Sequence, residues 1–164
     1  MGKIGKGVLI MGLIALLFGG CAAEKTVGKN IKLKDVTEFY RTDSAMTDPP
    51  RSQRYHFHIE DGKYLFTHEK REGASFFDTN SEADESGTLE MTEEEWEVFL
   101  ETLEGGTVVR RDDPMLSDGK NTALYIYWTG DKGEWQVFSF ADNTKYAAFE
   151  SLCFELKGRE MSGQ

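Results

Sequence analysis

The clearest pattern in the chain lies in residues 54–68, RYHFHIEDGKYLFTH, where large apolar and polar side chains alternate on either side of Asp61-Gly62. A period of two marks a strand with one buried face. Asp-Gly is a preferred pair for a type I′ turn, which needs positive φ at both central positions. A two-residue turn here pairs Glu60 with Lys63, His58 with Leu65 and His56 with Thr67 on one face. The other face sets Tyr55, Phe57 and Ile59 against His68, Phe66 and Tyr64. Strands are expected before this hairpin, about Val36–Thr42, and after it, about Ala74–Asp78. Asp48-Pro49-Pro50 breaks the chain between the first two. From residue 92 the period changes. Trp96, Phe99, Leu100 and Leu103 fall at i, i+3, i+4 and i+7, one stripe of a helix. Thr92 and Glu95 have the spacing of a capping box, Met91 can staple onto Trp96, and Gly105 supplies a left-handed stop. Residues 123–140, ALYIYWTGDKGEWQVFSF, predict a second hairpin, with Trp128 against Trp135, Ile126 against Val137 and Tyr125 against Phe138. Asn143–Lys157 closes the chain as a helix, with Tyr146, Phe149, Cys153 and Leu156 inward and Gly158 ending it.

Strands, helix, hairpin and helix in that order predict an α+β fold. The sheet is an antiparallel one of meander and hairpin strands, with two helices packed mainly on one face. The segments DGKYLF, TEEEWEVFLETL and SDGKNTALYIYW resemble a group of small uncharacterised lipoproteins of Gram-positive bacteria. That resemblance implies a membrane-tethered domain.

The first residues change the picture from fold to location. Lys3 and Lys6 precede an uncharged run, residues 7–18, and Gly19-Gly20-Cys21 follows. A basic start, a short apolar core and small residues before a cut site describe an export signal. The run is shorter than the roughly 20 residues a spanning helix needs. With Cys21 after the small pair, the stretch resembles the lipobox of bacterial lipoproteins, although Phe18 stands where that family usually has Leu. The resemblance implies cleavage before Cys21 and a lipid on its sulfur, hence a cell-membrane, lipid-anchored protein facing outside the cytoplasm. The expected organisation is a signal peptide at 1–20, a lipidated polar tether at 21–35, one domain at 36–158 and a disordered tail at 159–164. The whole chain has a formal net charge of −10, and losing Lys3 and Lys6 with the signal leaves −12. So acidic a surface repels phosphate backbones, which argues against nucleic acid as a partner. Membrane attachment is expected through lipid. With Cys21 acylated, Cys153 has no partner, so disulfides do not stabilise the domain.

Candidate chemistry is sparse. His56 and His58 share a strand face with Glu60 and could in principle hold a Zn²⁺ or Cu²⁺ ion. The cross-strand positions Lys63, Leu65 and Thr67 offer no third strong ligand, so solvent-facing histidines and no metal are expected. Residues 78–85, DTNSEADE, are rich in oxygen ligands. They depart from the EF-hand pattern at Ala83, where the turn glycine belongs, and at Leu89, where the bidentate Glu belongs. Gly73-Ala74-Ser75 begins like a nucleophile elbow, but Phe77 replaces its second glycine. Glycine-rich phosphate loops, HExxH and CxxC are missing from the sequence. No cofactor is called for. Tyr125, Tyr127 and Phe138 remain as a possible binding patch, because aromatic faces stack on sugars or anchor a partner protein. The expected function is a non-catalytic binding or interaction module for an envelope protein or glycan. The alternatives are an envelope hydrolase or metal-dependent enzyme, and a purely structural envelope component.

Overall fold

The computed structural model describes residues 24–45, 49–73, 82–111, 120–131, 133 and 135–163. Eight antiparallel strands form one sheet: β1 (Lys25–Thr26), β2 (Val36–Ala45), β3 (Arg51–Glu60), β4 (Lys63–Glu72), β5 (Glu85–Met91), β6 (Thr107–Arg111), β7 (Lys120–Trp128) and β8 (Trp135–Ser139). Two helices, α1 (Glu93–Leu103) and α2 (Asn143–Ser162), complete the α+β fold. The strand order is β1-β6-β8-β7-β2-β3-β4-β5. Strands β2 to β5 are thus neighbours in chain order, and the chain then crosses to the far side of the sheet.

The β3–β4 hairpin has the expected register, from Glu60↔Lys63 through Phe57↔Phe66 to Tyr55↔His68. Asp61 and Gly62 have φ of 51° and 77°, the left-handed pair a type I′ turn demands. Phe57 and Phe66 are wholly buried. Phe39 of β2 lies opposite Phe57 and is wholly buried too. The two rings meet both helices. Phe99 of α1 stacks on Phe57 at 4.2 Å and packs edge-on to Phe39 at 5.8 Å, while Phe149 of α2 lies 5.3 Å from Phe39 and 5.7 Å from Phe57. Burial of one such side chain is worth about 1.5–3 kcal/mol, so this aromatic cluster is the main stabilising feature.

Both helices begin as their sequences require. The Thr92 hydroxyl accepts the Glu95 N–H at 3.2 Å, and the Glu95 carboxylate accepts the Thr92 N–H at 2.7 Å. Glu95 also pairs with Arg159 of α2. Gly105, with φ of 78°, ends α1. Asp142 caps α2 by accepting from the N–H groups of Thr144 and Lys145. Phe149, Cys153 and Leu156 are buried, and Tyr146 is half-buried.

Several expectations need correction. Residues 25–35 are part of the domain and not a tether. β1 pairs with β6, and Val27 and Ile31 are 1% and 2% exposed within the core. The lysines around them had masked two anchors that close a turn. The expected tail is helical, since α2 runs on to Ser162 and ends at Gly163, with φ of 69°. Gly158 sits inside α2 with no atom within 4 Å of where a Cβ would stand, so nothing there forces a stop. The strand expected at Ala74–Asp78 lies outside the described residues; the strand found beside β4 is β5. The second hairpin is shifted by one residue, with Tyr125 opposite Val137. Asp131 accounts for the shift. Its carboxylate accepts the Gly133 N–H at 2.9 Å and the Gln136 side-chain amide at 3.0 Å, drawing Gln136 inward. Phe138 follows it to the face of Ile126, into edge-on contact with Phe39 at 5.3 Å.

Candidate functional site

The shifted register decides where the three expected patch residues lie. Phe138 is 2% exposed, Tyr125 is 8% exposed, and they project from opposite faces of the sheet. They do not form an exposed patch together. Both nevertheless line one cleft of about 720 Å³ between β7 and β8, with Arg111, Ser139, Asn143 and Tyr146. Among the described residues these two strands are registered at Tyr125↔Val137 alone, so their backbones diverge where the cleft opens. Trp135 lies 5.2 Å from Tyr125 at its rim. Tyr146 is held by a hydrogen bond to Glu150 and by the Arg41 guanidinium 5.7 Å from its ring. Arg41 is itself buried, bonded to Asp43 at 3.0 Å and to Glu150 at 2.9 Å.

Tyr127 stands elsewhere, at the end of a column of rings. On the side-chain face opposite Phe39 and Phe57, Tyr127 of β7 meets Tyr40 of β2 edge-on at 6.2 Å. Tyr40 stacks on His56 at 4.1 Å, and His56 on His58 at 4.1 Å. The strand alternation dictates this column. Tyr40 and His56 are cross-strand partners, and His58 follows His56 at i+2. The histidines were expected to face solvent. They are half-buried, with side chains 19% and 17% exposed, because the stack covers their rings.

Glu38 ties the column together. His56 Nε2 donates to its carboxylate at 2.8 Å, and the Tyr40 hydroxyl donates to the same oxygen. Burial acts to raise the Glu38 pKa, but these two bonds and the nearby imidazoles outweigh it and hold the carboxyl below its usual range. Burial and the Glu38 charge push the Tyr40 hydroxyl far upward. Burial and the neighbouring His56 push His58 downward, against the pull of Glu60 and Glu38. His58 Nδ1 is buried without a hydrogen-bond partner among the described residues. A second cleft, about 440 Å³, opens here between Glu38, His56, His58 and Glu60.

His56 and His58 do not converge on a metal position. His56 Nε2 turns to Glu38, and His58 Nε2 lies 3.8 Å from Glu60. Among the described residues, no three His, Cys, Asp or Glu side chains are placed to hold a metal ion. Cys153 is wholly buried, and burial raises its thiol pKa strongly, so it stays protonated and inert. Cys21, Ser75 and the first half of the acidic loop, residues 78–81, lie outside the described residues. Sequence reasoning missed Tyr40, Glu38 and Tyr146. The first two reach the site through the pairing of β2 with the next strand, β3, a register that spacing within either strand does not reveal. Tyr146 was placed in the core, while its half-buried ring borders the cleft.

No family model matches the chain, and neither a curated protein nor a solved structure matches it.

Proposed function

We propose that this chain is an extracytoplasmic lipoprotein, anchored through Cys21, whose domain is a binding module for an envelope protein or glycan. The sequence of the first 25 residues supports the anchoring. The observation that carries the binding reading is the cleft between β7 and β8. Its size falls in the roughly 300–1,000 Å³ range of ligand sites, and it combines apolar and aromatic walls with a few polar groups, Arg111, Asn143 and the Tyr146 hydroxyl. In this reading β2 to β5 form the meander part of the sheet and both helices lie on one face, a placement supported by their shared contacts with Phe39 and Phe57. The Tyr127–Tyr40–His56–His58 column then faces away from the helices. Binding is tested with the Ser139→Trp variant, which fills the cleft from an exposed position. Soluble cell-wall glycan fragments and extended peptides are titrated against the protein by calorimetry, with the heat of binding as the signal. A saturable change in the wild type that Ser139→Trp abolishes is expected. An unchanged response in the variant counts against the cleft.

A second reading, catalytic, rests on the Glu38–His56 pair. A carboxylate bonded to one nitrogen orients an imidazole to exchange a proton at the other, as a general base requires. Hydrolysis of a wall fragment that is lost in both His56→Gln and Glu38→Gln would favour it.

A further inference from the structure

Positive charge is unevenly placed on this domain. Residues 36–164 hold 13 basic and 27 acidic side chains, whereas residues 25–34 hold four lysines and no acid. Lys25, Lys29, Lys32 and Lys34 are all exposed. They sit on an ordered frame, because β1 pairs with β6 and the buried Val27 and Ile31 close the turn between them. Elsewhere most cations with described side chains are committed: Lys145 and Lys157 donate to the Glu101 carbonyl and the Gln53 side chain, and Arg110 and Arg111 in β6 are the exceptions. Arg41, Arg54, Lys63, Lys70, Arg71 and Arg159 each pair with a carboxylate. Among the described residues none of the four lysines does so; Lys25 lies over the Trp128 ring at 4.8 Å. Glu24, Asp35 and Glu104 border the segment and still leave it net positive, the reverse of the rest of the surface.

We propose that this segment is a second membrane contact, in which Lys25, Lys29, Lys32 and Lys34 rest against anionic lipid headgroups and fix which side of the domain faces the bilayer. The proposal rests on lipid attachment at Cys21. From Cys21 to Lys25 the chain advances four residues, a reach of about 14 Å at most. The screening length is about 8 Å at physiological ionic strength, so a lipid at Cys21 keeps this segment within two screening lengths of the surface. A strongly acidic domain so closely tethered is repelled from an anionic bilayer on every other side. The basic segment is the one that can approach.

The mature lipidated protein is reconstituted into vesicles of phosphatidylcholine, and into the same vesicles containing phosphatidylglycerol. Flotation reports the anchor. The rate at which an amine reagent labels each lysine, mapped by peptide mass, reports the docking. Labelling of the four lysines is expected to fall about fivefold each on the anionic vesicles, the factor that one lysine gains at such a surface. It is expected to recover at high salt, while Lys63 and Lys70 in β4 stay unchanged. In a second measurement, headgroup-labelled anionic lipid quenches Trp128 in the wild type and not in the K25Q/K29Q/K32Q/K34Q variant, which still floats. Protein that floats with both vesicles but labels equally on both overturns the docking and leaves the anchor standing. Protein that floats with neither overturns the anchor and the docking together.

Discussion

His56 and Phe57 are adjacent in sequence and lie on opposite sides of β3, so truncating each to alanine probes a different part of the molecule. Phe57 is wholly buried and in ring contact with Phe66, Phe99 and Phe149. Phe57→Ala should cost about 3–5 kcal/mol in denaturant unfolding. His56 loses one stack on each side and a hydrogen bond to Glu38, so His56→Ala should cost about 1 kcal/mol. Equal losses would contradict the register. His68, on the same face as Phe57, sets a pH dependence. It is 6% exposed and donates from Nε2 to the Gln53 side-chain oxygen at 3.1 Å, which also accepts from Lys157. Burial and the Lys157 charge lower its pKa to about 4. Between pH 6.5 and 4 the unfolded chain therefore binds a proton that the folded protein does not. Stability falls as pH falls through this window, by about 1–2 kcal/mol from His68. His58 acts with the same sign. The carboxyls of Glu38, Glu69 and Glu95, all held low, add further loss below about pH 4.5. Thermal melts at pH 7 and pH 5 should show a smaller drop in His68→Gln than in the wild type.

At the scale of elements, legibility followed how local each determinant is. The first hairpin was readable because the Asp61-Gly62 turn and the alternation fix the register independently, and they agree. The α1 start was readable because the capping box lies within four residues. The second hairpin was readable as a hairpin only. Its loop contains two glycines and an aspartate, and the side-chain bonds of Asp131, invisible in the spacing, moved Phe138 across the sheet. β1 is two residues long and β6 five, too short for a periodic signal; β1 pairs only with β6, and β6 is held along its length by β8. The candidate site was legible in the same proportion. The shared face of His56 and His58 follows from their spacing, whereas Glu38 and Tyr40 arrive only through the β2–β3 pairing. The turn from α1 into β6 gives a sharp test of this packing. At Gly106, a Cβ would run into the Phe138 ring and meet the Leu103 carbonyl oxygen at 3.0 Å. Gly106→Ala should cost about 1–3 kcal/mol by overpacking. Gly158→Ala, open on all sides within α2, should be neutral or add a few tenths up to about 1 kcal/mol. Urea unfolding of the two variants checks the contrast.

For the whole molecule, the domain and the first 23 residues make separate statements. The described fold includes no helix long and apolar enough to cross a membrane, so in the proposed reading attachment depends on the lipid at Cys21. Each buried methylene contributes about 0.8 kcal/mol, and two acyl chains suffice for stable anchoring. The body of the domain, strongly acidic, adds only repulsion at an anionic surface. Cys21→Ser removes the sulfur proposed to carry the lipid and leaves every described contact in place. The variant should accumulate unprocessed or appear in the soluble fraction, while the wild type fractionates with membranes. Its melting temperature should match that of the wild-type domain, because the core begins beyond residue 24. Intact-mass analysis of the mature wild type gives the direct check: an N-terminal cysteine carrying acyl chains is expected. An unmodified amino terminus at any other residue would remove the anchor from the account, and with it the reason for the basic segment to face a membrane. The cleft between β7 and β8 would still stand as the proposed binding site, since its geometry owes nothing to the lipid.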